Sequence, residues 1–220
     1  SGDSSLASNI PSDIQEMEEV GSSDKLDIIV LMDSSDVGDT SLPRILPNSI
    51  DDIALSTVNA TWGTELDMGE PGTLSQFAMW AAGAYPADHY MLDLWGHGNG
   101  WPGICPDRGN YLETRELGAA LKTVSEAGIH IDIVSMDACQ MGMVEVAYEI
   151  RDYADYALMS QKDVPIDGWP YDEFLRCLGG NRTVPEAGKS MIDAYITWGK
   201  VHSLYSMTLT LIDLAGMGEL

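Results

Sequence analysis

Basic side chains are the scarcest class in this sequence: 11 Lys and Arg stand against 35 Asp and Glu, a formal net charge of −24 at pH 7. That imbalance argues against nucleic acid or an anionic membrane surface as partner, and favours solubility and cationic ligands. A high-salt or extracellular setting accounts for it equally well, and a secreted location is the favoured one. Cysteine is also sparse. Cys105, Cys139 and Cys177 are too few and too scattered for a disulfide framework or a zinc site. No run reaches the ~18 apolar residues of a membrane helix, so no membrane partner is expected. No signal peptide opens the sequence. The polar start Ser1–Ser5 and the strand and turn over Met207–Gly218 read as the ends of a piece of a longer chain.

What is present is organised around two short apolar runs. His89–Trp95 leads into Gly96-His97-Gly98-Asn99-Gly100-Trp101, and His130–Met136 leads into Asp137-Ala138-Cys139-Gln140. Each reads as a buried strand, with a helix over about 114–127 between them whose Leu117, Leu121 and Val124 share a face. Strand–helix–strand order implies a parallel pair whose carboxyl ends share one edge, where ligands bind in α/β sheets. His97 and Cys139 are thereby expected to be neighbours, an imidazole beside a thiol.

Around this core the spacing predicts a helix after Ser12 with Ile14, Met17 and Val20 on one face, and a strand over Lys25–Met32. An irregular excursion follows, with a short strand at Leu55–Val58. A helix capped by Thr73 turns Phe77, Trp80 and Ala81 inward, and Trp101–Tyr111 is a loop. After Cys139 a helix begins near Gly142 with Val144, Ala147 and Tyr148 as its stripe. A strand at Asp155–Ser160, helices over 171–178 and 183–199, and a late strand complete a three-layer α/β sandwich with a mostly parallel sheet.

Taken alone, Cys139 is more often a small hydrophobe than a nucleophile. Its place after a strand, near a helix start, favours the thiolate. The glycines around His97 leave N–H groups free, and those of Gly98 and Cys139 could stabilise an oxyanion. Asp137 is either an anchor for a cationic ligand or a structural acceptor. Asp33-Ser34-Ser35-Asp36-Val37-Gly38-Asp39 holds three carboxylates in seven residues. Calcium could use them, but the loop lacks the terminal Glu of a full twelve-residue motif, and a solvated turn is preferred. No residue is assigned as a metal ligand.

The Trp95–Trp101 block and Met136-Asp137-Ala138-Cys139 resemble the clostripain-like cysteine peptidases, within the group that includes gingipain, legumain and caspase. Asp67–Leu74, Asp167-Gly168-Trp169-Pro170-Tyr171 and Thr208–Leu214 extend the likeness over nearly the whole chain. The resemblance implies a single caspase-like catalytic domain over 1–220 that lacks the family's first strand. It also implies an endopeptidase cutting peptides or proteins after Arg or Lys. His97 would be the acid/base, Cys139 the nucleophile and Asp137 the contact for the basic side chain, with Asp163 or Asp167 adding charge. No cofactor is needed for that chemistry, although some members depend on calcium. Some members also cut themselves, and Arg108 is the best candidate bond here. A catalytically inactive domain that binds basic peptides is the competing reading.

Overall fold

The computed structural model describes residues 5–219. A central sheet of four strands runs in the order β3 (Met91–Trp95), β6 (Ile131–Asp137), β7 (Ala154–Met159), β8 (Thr210–Asp213). The first three are parallel and β8 is antiparallel to β7. All seven residues of β6 are buried, as a central strand covered on both faces must be. From Ile133 onward period-two alternation divides its side chains, whereas Ile131 at the strand's start packs in the same cluster as Val134. Val134 and Met136 join a cluster with Leu117, Leu121 and Val124 of α3 (Thr114–Glu126) and Val146, Ala147 and Ile150 of α4 (Val144–Ile150). Ile133 joins a second cluster with Phe174 and Cys177 of α5 (Tyr171–Leu178) and Met191 and Tyr195 of α6 (Val184–Val201). Helix, sheet and helix form the three expected layers. Ser135 and Asp137, at odd positions like Ile133, lie on the α5/α6 side, and this parity decides what surrounds Asp137.

Several local expectations differ from the structure. Residues 25–32 form no strand of the central sheet. They run antiparallel to β1 (Pro43–Leu46) through the isolated bridges Ile29↔Arg44 and Met32↔Ser41. The ladder is broken for two reasons. Pro43 has no N–H to return for the Val30 N–H that its carbonyl accepts, and the Ile28 N–H goes to the Ser22 hydroxyl instead of across the ladder. β1 pairs instead with β2 (Ser49–Asp52), and Leu55–Thr57 is a 3-10 turn, not a strand. α1 (Ile10–Val20) starts ahead of Ser12, with Pro11 in its first turn, and buries only Asp13 while Ile14, Met17 and Val20 stay half-buried. α2 (Pro71–Ala84) likewise starts at its proline, where φ is already helical, and packs Leu74, Ala78 and Met79 on the core instead of Phe77, Trp80 and Ala81. The loop 101–111 contains a hairpin of β4 (Gly103–Asp107) and β5 (Asn110–Glu113), closed by Arg108 and Gly109, both at positive φ. α4 begins two residues beyond Gly142 and leaves Val144 and Tyr148 exposed.

Candidate active site

Parallel pairing of β3 and β6 sets Leu94 opposite Met136 and Trp95 opposite Asp137. The Gly96 N–H donates to the Asp137 carbonyl at 3.2 Å, so the register persists one step past the strands. His97 and Cys139 therefore leave the sheet side by side. The contact is close: a Cβ at Gly98 would lie 2.3 Å from the Cys139 carbonyl oxygen and 3.0 Å from its nitrogen. Only a residue without a side chain fits there. The loop is tied from the other side by β4, since the Cys105 N–H donates to the His97 carbonyl at 3.1 Å and Asn99 to Gly103 at 3.0 Å. Among the described residues, neither the Gly98 N–H nor the Cys139 N–H meets an acceptor. Two free donors on touching peptides are what an oxyanion needs.

Cys139 sits on a strained turn. Gln140 takes φ 60, left-handed for a non-glycine residue. The turn is stitched to the loop after β7 by Gln140 N–H to Lys162 O (3.0 Å) and Gly142 N–H to Ser160 O (2.7 Å). The thiol is half-buried, and the Val164 N–H points at its sulfur from 3.3 Å. Burial raises its pKa most, the Val164 N–H pulls the other way, and Asp163 and Asp137 push it up further. The expected help from a helix start is missing, because α4 begins five residues later and the dipole effect is confined to a helix's first turn. His97 is also half-buried, with its Nε2 3.0 Å from the Ser5 hydroxyl. The 3-10 turn Ala7–Asn9 that follows reaches the far wall, where the Asn9 amide donates to the Ile166 carbonyl.

Asp137 is 4% exposed, and its Oδ2 accepts the Trp169 N–H at 3.0 Å and the Tyr171 hydroxyl at 3.1 Å. Tyr171 also donates to Asp93 Oδ2 at 3.1 Å, and the Ser135 hydroxyl donates to Asp93 Oδ1. Asp13 is buried beside them, with the Trp95 side chain as its hydrogen-bond partner. Burial and mutual repulsion hold Asp137 well above the carboxylate range, and Asp13 is pushed up to about 7, mainly by burial. None of the three is in a salt bridge with Lys or Arg among the described residues. Asp13 and Asp93 were not singled out in the sequence. For Asp93 the signal was there, since it lies two residues before Trp95 as Ser135 lies before Asp137, on the same face. For Asp13, on a helix distant in sequence, there was none.

The other two acidic candidates stand outside this cluster. Asp163 is exposed and accepts the Gln140 side-chain amide at 2.8 Å. Asp167 is exposed too, and its charge acts on Asp13 and Glu16. In the Asp33–Asp39 loop Asp33 is wholly buried, accepting the Thr40 hydroxyl, so a fully solvated turn is not what forms. Asp39 caps the N–H groups of Ser34 and Asp36. Arg108, at the hairpin tip, is paired with Glu65 at 2.6 Å.

Residues 1–220 match the model of the Clostripain family. Clostripain of Hathewaya histolytica is 29% identical over 219 residues, covering 82% of this chain and 41% of that protein, so the chain spans less than half the length of this relative. The solved structure of a secreted C11 cysteine protease from Bacteroides thetaiotaomicron, in complex with an irreversible peptide inhibitor, matches with a TM-score of 0.79 at 24% identity. That match covers 99% of this chain and 65% of the other. An inactive zymogen C11 protease from Parabacteroides distasonis gives 0.74 at 24% identity, over 99% of this chain and 61% of that one. At such identities the likeness shows the fold, and it is the caspase-like arrangement anticipated above.

Proposed function

The chain belongs to the clostripain family, and on that premise we propose that it is the catalytic part of a cysteine endopeptidase that cuts after Arg or Lys. Cys139 attacks the scissile carbonyl, His97 passes the proton to the leaving amine, and the N–H groups of Gly98 and Cys139 receive the oxyanion. Water activated by His97 then releases the acyl group. The observation that carries this reading is the Gly98–Cys139 contact, which seats the His97 loop directly on the nucleophile's peptide. Basic specificity rests on Asp137, backed by Asp93 and Asp13: three carboxylates without a Lys or Arg partner among the described residues suit a guanidinium or ammonium from a substrate. The reaction uses no cofactor. A secreted setting fits the acidity, and the Bacteroides neighbour is itself described as secreted.

The Ser5 contact to His97 favours a second form in which the cleft is covered, and a domain that holds basic peptides without cutting them is its limiting case. An arginyl chloromethylketone separates the two. Stoichiometric labelling of the parent, absent from Cys139→Ala, with turnover of an Arg-containing peptide, is the result expected of the enzyme. Peptide binding without labelling or turnover would leave the binding domain standing.

A further inference from the structure

The edge of the sheet opposite the nucleophile carries a second cluster of chemically capable side chains. There β6 and β7 begin. Ile131 pairs with Ala154 and Ile133 with Tyr156, which sets Asp132 directly opposite Asp155. Like charges on facing positions destabilise a sheet, and neither carboxylate is in a salt bridge with Lys or Arg among the described residues. The nearby Arg151 is spent on Asp152 and on the Tyr148 carbonyl and ring. What faces the two carboxylates is imidazole. His130 lies two residues before Asp132, on the same face of β6, with its Nε2 3.0 Å from Asp155 Oδ2. His89, entering β3, places its Nδ1 2.8 Å from Asp132 Oδ1. Two of the four histidines of the chain therefore meet two aspartates in one corner.

We propose that His130, Asp132 and Asp155 form a binding site for a first-row divalent transition-metal ion of zinc type. One donor atom from each lies within 4.8 Å of the others. An ion about 2.0–2.2 Å from each donor draws them to about 3.4 Å apart. The parts needed for that adjustment are present. Asp132 is the fixed member, because its side chain is 9% exposed and Oδ2 accepts the Tyr90 N–H at 2.7 Å. His130 and Asp155 are exposed at 67% and 49% and can change rotamer to close on the ion. His89 and the Tyr90 N–H hold the Asp132 carboxylate from outside the cluster, as a carboxylate ligand's outer partners do. One nitrogen and two oxygens suit zinc and its neighbours better than calcium or magnesium, which take oxygen ligands alone. The open groove along His130, Asp152 and Asp155 leaves room for entry and for water ligands. The bound ion neutralises the facing aspartates and clamps β6 to β7. Since β6 is seven residues long, the site stands about 20 Å from Cys139. It is thus a structural site, independent of the peptidase reading.

Titration calorimetry with Zn2+ tests this in Cys139→Ala protein, which removes the reactive thiol as a competing ligand. One ion per chain should bind. At a hundredfold excess over Kd the melting temperature should rise by about 5–10 °C. Adding either His130→Ala or Asp155→Asn should weaken binding at least tenfold and cut that rise to about half or less at the same zinc concentration. In EDTA both variants should melt within about 2 °C of their parent, as exposed substitutions do. If one of them does not, the other decides. Cobalt substituted for zinc should give a visible spectrum without a thiolate charge-transfer band. Binding that survives both substitutions, a thiolate band, or no binding below about 1 mM overturns the proposal.

Discussion

Gly98 rests on the peptide of Cys139, with room for no atom between them: a Cβ there would stand 2.3 Å from the Cys139 carbonyl oxygen. Since the contact is with backbone, the added methyl of Gly98→Ala must push the two loops apart. The His97 ring and both oxyanion donors move with them. We expect kcat/KM on an arginyl peptide to fall by about 10²-fold or more, on the scale of losing an oxyanion donor. The melting temperature should change by only a few degrees, because the site is at the sheet edge. A variant with undiminished turnover would show that this contact does not set the catalytic geometry.

Cys139 should react as a thiol with a raised pKa. Its sulfur is desolvated and faces the charges of Asp163 and Asp137, so the thiolate is disfavoured at neutral pH. The rate of iodoacetamide labelling of the free protein should climb steadily from pH 7 to beyond pH 9, without an acidic plateau. Asp163→Asn removes one repelling charge and should speed labelling at pH 7 by a few-fold. A rate that is flat with pH would mean that a cation, such as protonated His97, already holds the thiolate.

Asp137→Asn should separate anchor from scaffold. The amide can still accept from Trp169 and Tyr171, so the fold survives, but the negative charge is gone. For Arg and Lys substrates we expect kcat/KM to drop by about 10²–10³-fold, or about 3–4 kcal/mol. Binding of a basic peptide to the parent should release protons near neutral pH, because a guanidinium lowers carboxylate pKa values that now stand high. Calorimetry in buffers of different ionisation enthalpy measures that release. Unchanged cleavage by Asp137→Asn would make the residue purely structural.

Asp13 makes stability depend on pH with a definite sign. Its folded pKa, about 7, lies above the unfolded 3.8. Between those values the native state holds more protons than the unfolded one, so this group's contribution to stability falls as pH rises and is constant above about 8. Asp13→Asn imitates the protonated form. It should match the parent near pH 4 and exceed it at pH 8 by up to about 4 kcal/mol. Urea unfolding at the two pH values measures the difference. Equal stability at pH 8 would place the Asp13 carboxylate in solvent.

Self-cleavage should spare Arg108. A peptidase cleft takes its substrate extended, whereas Arg108 and Gly109 occupy a tight hairpin turn at φ 44 and 90, with the guanidinium paired to Glu65. Mass spectrometry of purified protein should find no new terminus at Gly109. Such a terminus, present in the parent and absent from Cys139→Ala, would mean that the hairpin opens.

Much of this molecule is legible in one dimension. Short apolar runs at His89–Trp95 and His130–Met136, with the amphipathic stretch between them, suffice to deduce a parallel strand pair and the shared edge of His97 and Cys139. Hydrophobic burial acts on local periodicity, which the sequence displays directly. The capping box of Thr183 and Glu186 marked the start of α6 for the same reason. Other features depend on groups far apart in the chain. The run 25–32 has the composition of a strand, but Pro43 and the Ser22 hydroxyl decide how its ladder is made. Cys139 follows a strand as a nucleophile should, yet the turn at Gln140 delays the helix and leaves the thiol to burial and two aspartates. Asp13 reaches the Asp137 cluster only because α1 packs across α5, and Asp132 faces Asp155 only through the register of β6 on β7. Pattern and propensity fixed the elements; pKa values, clefts and ligand clusters are sums over neighbours in space, and only the tertiary structure chose those neighbours.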